Sequence, residues 1–218
     1  MIPVEKVRQL HAISDPKVIV PQKLIFDQNQ QVIGFTLRFV PNTVPLVKFF
    51  SSKYKTDNNI GQVEMNKIVL SIQRSVASIH SAGCLVVDMN EMNILVDQNF
   101  DAWFIDTDSY KTRSHPATAI VEAIKDPLVT NNNFTQSSDW FAFGIITFQL
   151  FTGLHPFRHG KHPRYRPNQW RERMAARISV FDPQIVLPPS AQGFRFVPSN
   201  YLVWYKSMFI NGQRSAPP

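Results

Sequence analysis

Cysteine, glycine and long apolar runs are all scarce in this sequence. Cys84 is the sole cysteine, which excludes an intrachain disulfide and a multi-cysteine metal site and fits a reducing compartment. Its apolar surroundings mark it as a small buried residue. Of the 8 glycines only Gly34 precedes position 60, so the early sequence has no glycine-rich loop to cradle a phosphate. No segment reaches the roughly 18 uninterrupted apolar residues of a membrane span, and the start carries Glu5 and Lys6 instead of a basic flank before an apolar stretch. A soluble, unexported, cytoplasmic protein with no membrane contact is expected.

What is present is the material of a packed core. The 218 residues are 44% hydrophobic with 17 Phe and 4 Trp, enough to bury a substantial interior without disulfides. Lys and Arg exceed Asp and Glu by 23 to 16, a net charge of +7 that favours polyanionic contacts. The basic residues are concentrated only between Arg158 and Arg177, and no RNP, zinc-knuckle or C2H2 spacing accompanies them, so a nucleic-acid role is disfavoured.

Along the chain, residues 4–13 read as a short helix broken by Asp15-Pro16. Val18 to Val20, Lys23 to Phe26 and Gln31 to Val40 have strand chemistry, with Asp27 to Gln30 as a hairpin turn. From Gly61 the period becomes helical, with Ile68, Ile72, Val76 and Ile79 on one stripe ending near Gly83. Short apolar runs follow at 84–87, 94–96 and 103–105, then an aperiodic stretch, 107–138, of the kind that serves as a functional loop. Residues 139–151 are apolar nearly all round and predict a helix buried on every side. Shorter helices are expected around 169–179 and 198–210, and Ser215 to Pro218 reads as a disordered tail.

The chemistry concentrates at Val86 to Asp97 and Trp103 to Ser109. Asp88, an amide five residues on at Asn93, a short apolar strand, a turn, and Asp106 closing another apolar strand would converge at one end of a hairpin. Three oxygen-bearing side chains suit a hard cation such as magnesium, which binds through one or two carboxylates plus substrate phosphates.

At these residues the chain resembles the protein-kinase-like superfamily. Asp88-x-x-x-x-Asn93, the Ile94-Leu95-Val96 strand and Asp106 look like its catalytic loop and metal-binding aspartate. Ser138 to Gly144, then Thr152-Gly153-Leu154-His155-Pro156-Phe157, resembles its central helix with a trailing T-G-x-x-P-F, and Arg214 its closing arginine. The Ile105-Asp106-Thr107-Asp108-Ser109 form, with Gly34-Phe35, is closest to bacterial kinase-like proteins of tellurite-resistance-associated type.

The resemblance covers residues 18–214 and implies an α+β, protein-kinase-like fold, with a partial strand-rich small lobe and hinge at 1–42 and a mainly helical large lobe at 43–218. It implies an ATP-dependent phosphotransferase of serine/threonine protein kinase type using ATP and magnesium. Asp88 is then the base for the attacking hydroxyl, with Asn93 and Asp106 as magnesium ligands, all three in the catalytic set. Leu37, Arg38, Phe39 and Val40 form the hinge that meets adenine, Leu37 near the gatekeeper place, with Leu95 also in the nucleotide site. A protein substrate or regulatory protein partner is implied.

The departures are specific. Val86-Val87 replaces the usual H-R, which removes the arginine that reads a phosphorylated loop. Asp106-Thr107-Asp108 replaces D-F-G, leaving Asp108 as a second metal ligand or a turn residue. Asp126-Pro127-Leu128 stands at the A-P-E place, so Arg214 needs another partner. No glycine-rich loop or V-A-I-K lysine precedes residue 18, and Lys6, Lys17 and Lys23 read as flexible surface residues. The phosphate-covering half of the site is missing, which implies a fragment, a natural truncation, or a kinase-derived binding or scaffold module without catalysis. Binding of ATP·magnesium weaker than about 0.1 mM is expected for lack of charge-assisted phosphate contacts.

Structural roles compete with these. Asp88 and Asn93 could cap a turn, and Asp139 reads as the N-cap of its helix. His80, His155, His159 and His162 lack acidic or cysteine partners at zinc spacing, and Ser81 and Ser109 lack the companions of a nucleophile.

Overall fold

The computed structural model describes residues 2–188, 191 and 193–218. The fold is α+β, with small sheets and predominantly helical chain after residue 46. The chain forms two compact units, one of residues 1–46 and 67–121, the other of 47–66 and 122–218. This partition by contact differs from a cut after residue 42.

The first unit opens with α1, Val4–Leu10, which buries Lys6, Val7 and Leu10. The hairpin of β1 (Leu24–Phe26) and β2 (Val32–Phe35) is antiparallel, with Leu24 opposite Phe35. Its turn is fixed by Asp27, whose carboxylate accepts the amides of Asn29 and Gln31. A second sheet has the order β3-β4-β5, from Val44–Pro45, Ile94–Val96 and Ala102–Phe104. In β4 the alternation places Ile94 and Val96 in the core and leaves Leu95 half-buried on the other face.

Two expected strands are shorter than their sequences suggest. Val18 to Val20 makes only a parallel bridge, Val18 to Phe104. The run to Val40 stops as a strand at Phe35. Thr36 still exchanges backbone bonds with Lys23 and Gln22, and beyond them the partner side reaches Pro21, which has no amide to donate, while the Arg38 guanidinium donates to the Pro16 carbonyl at 2.6 Å. The apolar run 84–87 forms an antiparallel bridge, Leu85 to Lys111.

Between them α2 spans Ser52–Asp57, N-capped by Ser51, and α3 spans Gln62–Ser81. Ile68, Ile72, Val76 and Ile79 on α3 are fully buried, as a 3.6-residue period requires.

The second unit is built on α4, Gln136–Thr152, which buries residues on all faces from Ser138 to Phe148. Its N-cap is Thr135, not Asp139. Thr135 and Ser138 form a reciprocal capping box, and Asp139 sits buried in the first turn. Gly153 ends the helix with φ 72°, and its amide returns to the Gln149 carbonyl at 2.7 Å. α6, Ser199–Phe209, follows the short α5, Trp170–Ala175. A Cβ at Gly144 would stand 2.7 Å from the Met208 sulfur, so α4 and α6 meet closely enough there that a larger residue would displace the Met208 side chain. Tyr205 donates to Thr147 between them at 2.8 Å.

Arg214 finds its partner in the A-P-E-like triplet itself. Its guanidinium donates to both oxygens of the buried Asp126 at 2.6 and 2.9 Å. The segment expected to be a free tail is tied back, with Pro217 buried and Trp204 donating to the Ser215 carbonyl at 3.3 Å.

Candidate functional site

The loop after Val86 is tightly folded. The Asp88 amide donates to the Val86 carbonyl at 2.7 Å, and the Asn90 amide to the Asp88 carbonyl at 2.8 Å, bonds that each span three residues. Val87, between the first pair, has φ 61°. A β-branched residue there is strained, and such strain persists only where the surroundings enforce it.

Asp88 follows directly and is 7% exposed. The Val121 backbone hydrogen-bonds its carboxylate, while Oδ1 is buried with no partner among the described residues. Burial pushes this carboxyl above the ordinary carboxylate range, and the negative charges of Asp106 and Glu91 push the same way against the Val121 bond.

The loop continues as an Asx turn, in which Asn90 Oδ1 accepts the Met92 amide at 2.9 Å and the Asn90 carbonyl accepts the Asn93 amide at 2.9 Å. Asn93 then enters β4. Because Ile94 pairs with Phe104, the residue before β4 lies beside those after β5, and the Ile105 amide donates to the Asn93 carbonyl at 2.9 Å. The Asn93 side-chain amide donates to Asp106 Oδ2 at 3.4 Å. Asp106 is left-handed, φ 59° and ψ 34°, a conformation aspartate tolerates, and its carbonyl is held by Ser109 Oγ at 2.8 Å. Partial burial and the negative charge of Asp108 raise its carboxyl pKa.

Asp88, Asn93 and Asp106 are thus brought together. Among the described residues no group of three or more His, Cys, Asp or Glu side chains could hold a metal ion by itself. The donor set nonetheless suits magnesium. Two carboxylates crowd each other at Asp106 and Asp108, an amide stands beside them, and magnesium completes its shell with water and phosphate oxygens.

The residues expected to form the hinge are open, with Phe39 84% and Leu37 44% exposed. Arg38 lies over the Trp103 ring at 4.9 Å, and Trp103 is paired with Leu95 across β4 and β5. This places the 37–40 segment by the sheet face that carries Leu95.

Lys6 is the residue sequence reasoning misread. It is 2% exposed, not a surface lysine, and α1 packs on the 3-10 turn Thr107–Ser109. The available signal was its place on the stripe with Leu10, four residues on. Lys17 is also paired, with Asp101 at 2.5 Å.

Residues 5–187 match the family model described as protein kinase domain. Human ribosomal protein S6 kinase alpha-3 is 28% identical over 86 residues, 37% of this chain and 12% of that protein. Mouse ribosomal protein S6 kinase alpha-2 is 30% identical over 87 residues, with the same shares. Rat 3-phosphoinositide-dependent protein kinase 1 is 26% identical over 147 residues, 63% of this chain and 25% of that protein. The chain therefore spans a quarter or less of the length of these relatives. No described helix is long and apolar enough to cross a membrane.

Proposed function

The chain belongs to the protein kinase domain family, and from that premise we propose that it is an ATP-dependent phosphotransferase of serine/threonine protein kinase type. The observation that carries the reading is the buried, unpartnered Asp88 Oδ1, held within electrostatic reach of an Asp106 that Asn93 bonds. A raised carboxyl with one free oxygen is suited to accept or orient the proton of an attacking hydroxyl. Asn93 and Asp106 would hold magnesium, which would supply positive charge against that developing on the transferred phosphoryl group. Leu37 to Val40 would meet adenine through their backbone, with Leu95 on the sheet face beside them. Positioning of these groups before the nucleotide arrives is the protein's contribution.

The acceptor is a protein hydroxyl, and the compartment is the cytoplasm. The Ile105 to Ser109 form supports a finer placement beside kinase-like proteins of tellurite-resistance-associated type.

A second reading is a binding or scaffold module without catalysis, favoured by Val86-Val87 at the H-R place and Asp106-Thr107-Asp108 at the D-F-G place. Transfer of label from γ-labelled ATP to a generic protein acceptor separates the two. Magnesium-dependent transfer that falls at least 100-fold in Asp88→Asn supports the enzyme. ATP binding without any transfer supports the module.

A further inference from the structure

We infer that Lys6, supplied by helix α1, is a cation that meets the nucleotide phosphates. The inference rests on the proposed nucleotide site and deepens it.

Lys6 is almost wholly buried on α1, beside the turn that begins immediately after Asp106. A lysine ammonium carries three donors and is costly to bury unless they are met. Among the described residues none of them is: no hydrogen bond or ion pair reaches Lys6, and the negative charge that acts on it is that of Asp108. Its nitrogen is not among the fully sealed, unbonded polar atoms of the structure, so some of its surface is left open while the rest of the side chain is covered.

A purely structural lysine would close an ion pair with Asp108. This one stops short, with its charge held within electrostatic reach of Asp108, two residues after the carboxylate assigned to magnesium. That arrangement suits a ligand with both a divalent cation and anionic oxygens, in which Asp106 meets the metal and Lys6 an oxygen. Burial lowers the pKa of the ammonium while Asp108 raises it, and an arriving phosphate would act in the same sense as Asp108.

Titration of the whole chain with ATP and with adenosine, both with magnesium, tests this. Lys6→Met, of similar volume and happier in a core, should lose about tenfold or more in ATP affinity and leave adenosine affinity unchanged. Lys6→Arg should recover part of the loss. Equal ATP affinity in wild type and Lys6→Met overturns the inference alone, whereas a wild-type chain that binds neither ligand overturns the nucleotide site and the inference with it. If Lys6→Met does not fold, amine acylation of the wild-type chain, mapped by mass spectrometry, decides. Protection of Lys6 by ATP but not by adenosine supports the role. Equal labelling with either ligand, or no labelling at all, contradicts it.

Discussion

The unit that holds Asp88 and the unit built on α4 solve the problem of buried polar groups in opposite ways. In the second, the buried ionic groups are matched: Asp126 and Arg214 exchange two hydrogen bonds, and Tyr205 meets Thr147 amid the rings of Phe148 and Phe209. In the first, Val87 is strained, Asp88 keeps an unpartnered oxygen, and Lys6 is buried with no bonded partner among the described residues. Groups left unmet in a folded protein cost stability and are available to a ligand. The difference separates a region that supplies stability from one that uses it.

Breaking the matched pair should have the largest effect. Asp126→Ala leaves the Arg214 guanidinium, 10% exposed, without its carboxylate and should cost about 3–5 kcal/mol in denaturant unfolding. Asp88→Asn should do the reverse: phosphoryl transfer falls 100-fold or more while unfolding stability holds or rises, because a disfavoured buried charge is removed. A large loss of stability in that variant would show Asp88 to be a structural cap.

Acid should separate the regions by sign. His155 in the second unit is held neutral, because Nδ1 accepts the amides of Phe157 and Arg158 while Nε2 donates to the Ala123 carbonyl. Burial lowers its pKa from 6.5 to about 4. Its contribution is therefore complete above pH 6.5 and is lost as pH falls toward 4, about 3 kcal/mol in all. Stability measured across that window should fall in the wild type and fall less in His155→Asn. The raised carboxyls of Asp88 and Asp106 act oppositely: their folded forms hold the proton more tightly than the unfolded chain, so they favour the fold as pH drops through their raised values. Smallest should be Tyr205→Phe, about 1 kcal/mol in thermal or denaturant unfolding, since Thr147 keeps its bond to the Phe143 carbonyl.

Local pattern made much of this legible. The Ile68, Ile72, Val76 and Ile79 stripe specified α3, and the spacing of Asp88, Asn93 and Asp106 around two short apolar runs indicated the hairpin end that gathers them. What escaped depends on partners distant in sequence. Val18 makes a single bridge, to Phe104, the pairing of Thr36 ends where its partner side reaches Pro21, and Trp204 holds Ser215. Asp139 and Thr135 are both cap-type residues, and only Ser138, three after Thr135, distinguishes them. Lys6 was misread because charge ordinarily signals a surface.

The most direct test is calorimetric titration of the chain with ATP, with magnesium and with a chelator, in wild type and Asp106→Asn. The account predicts that magnesium tightens ATP binding about tenfold or more in the wild type and has little effect in the variant. An equal magnesium effect in both would contradict it, because Asp106 would then have no part in holding the ion.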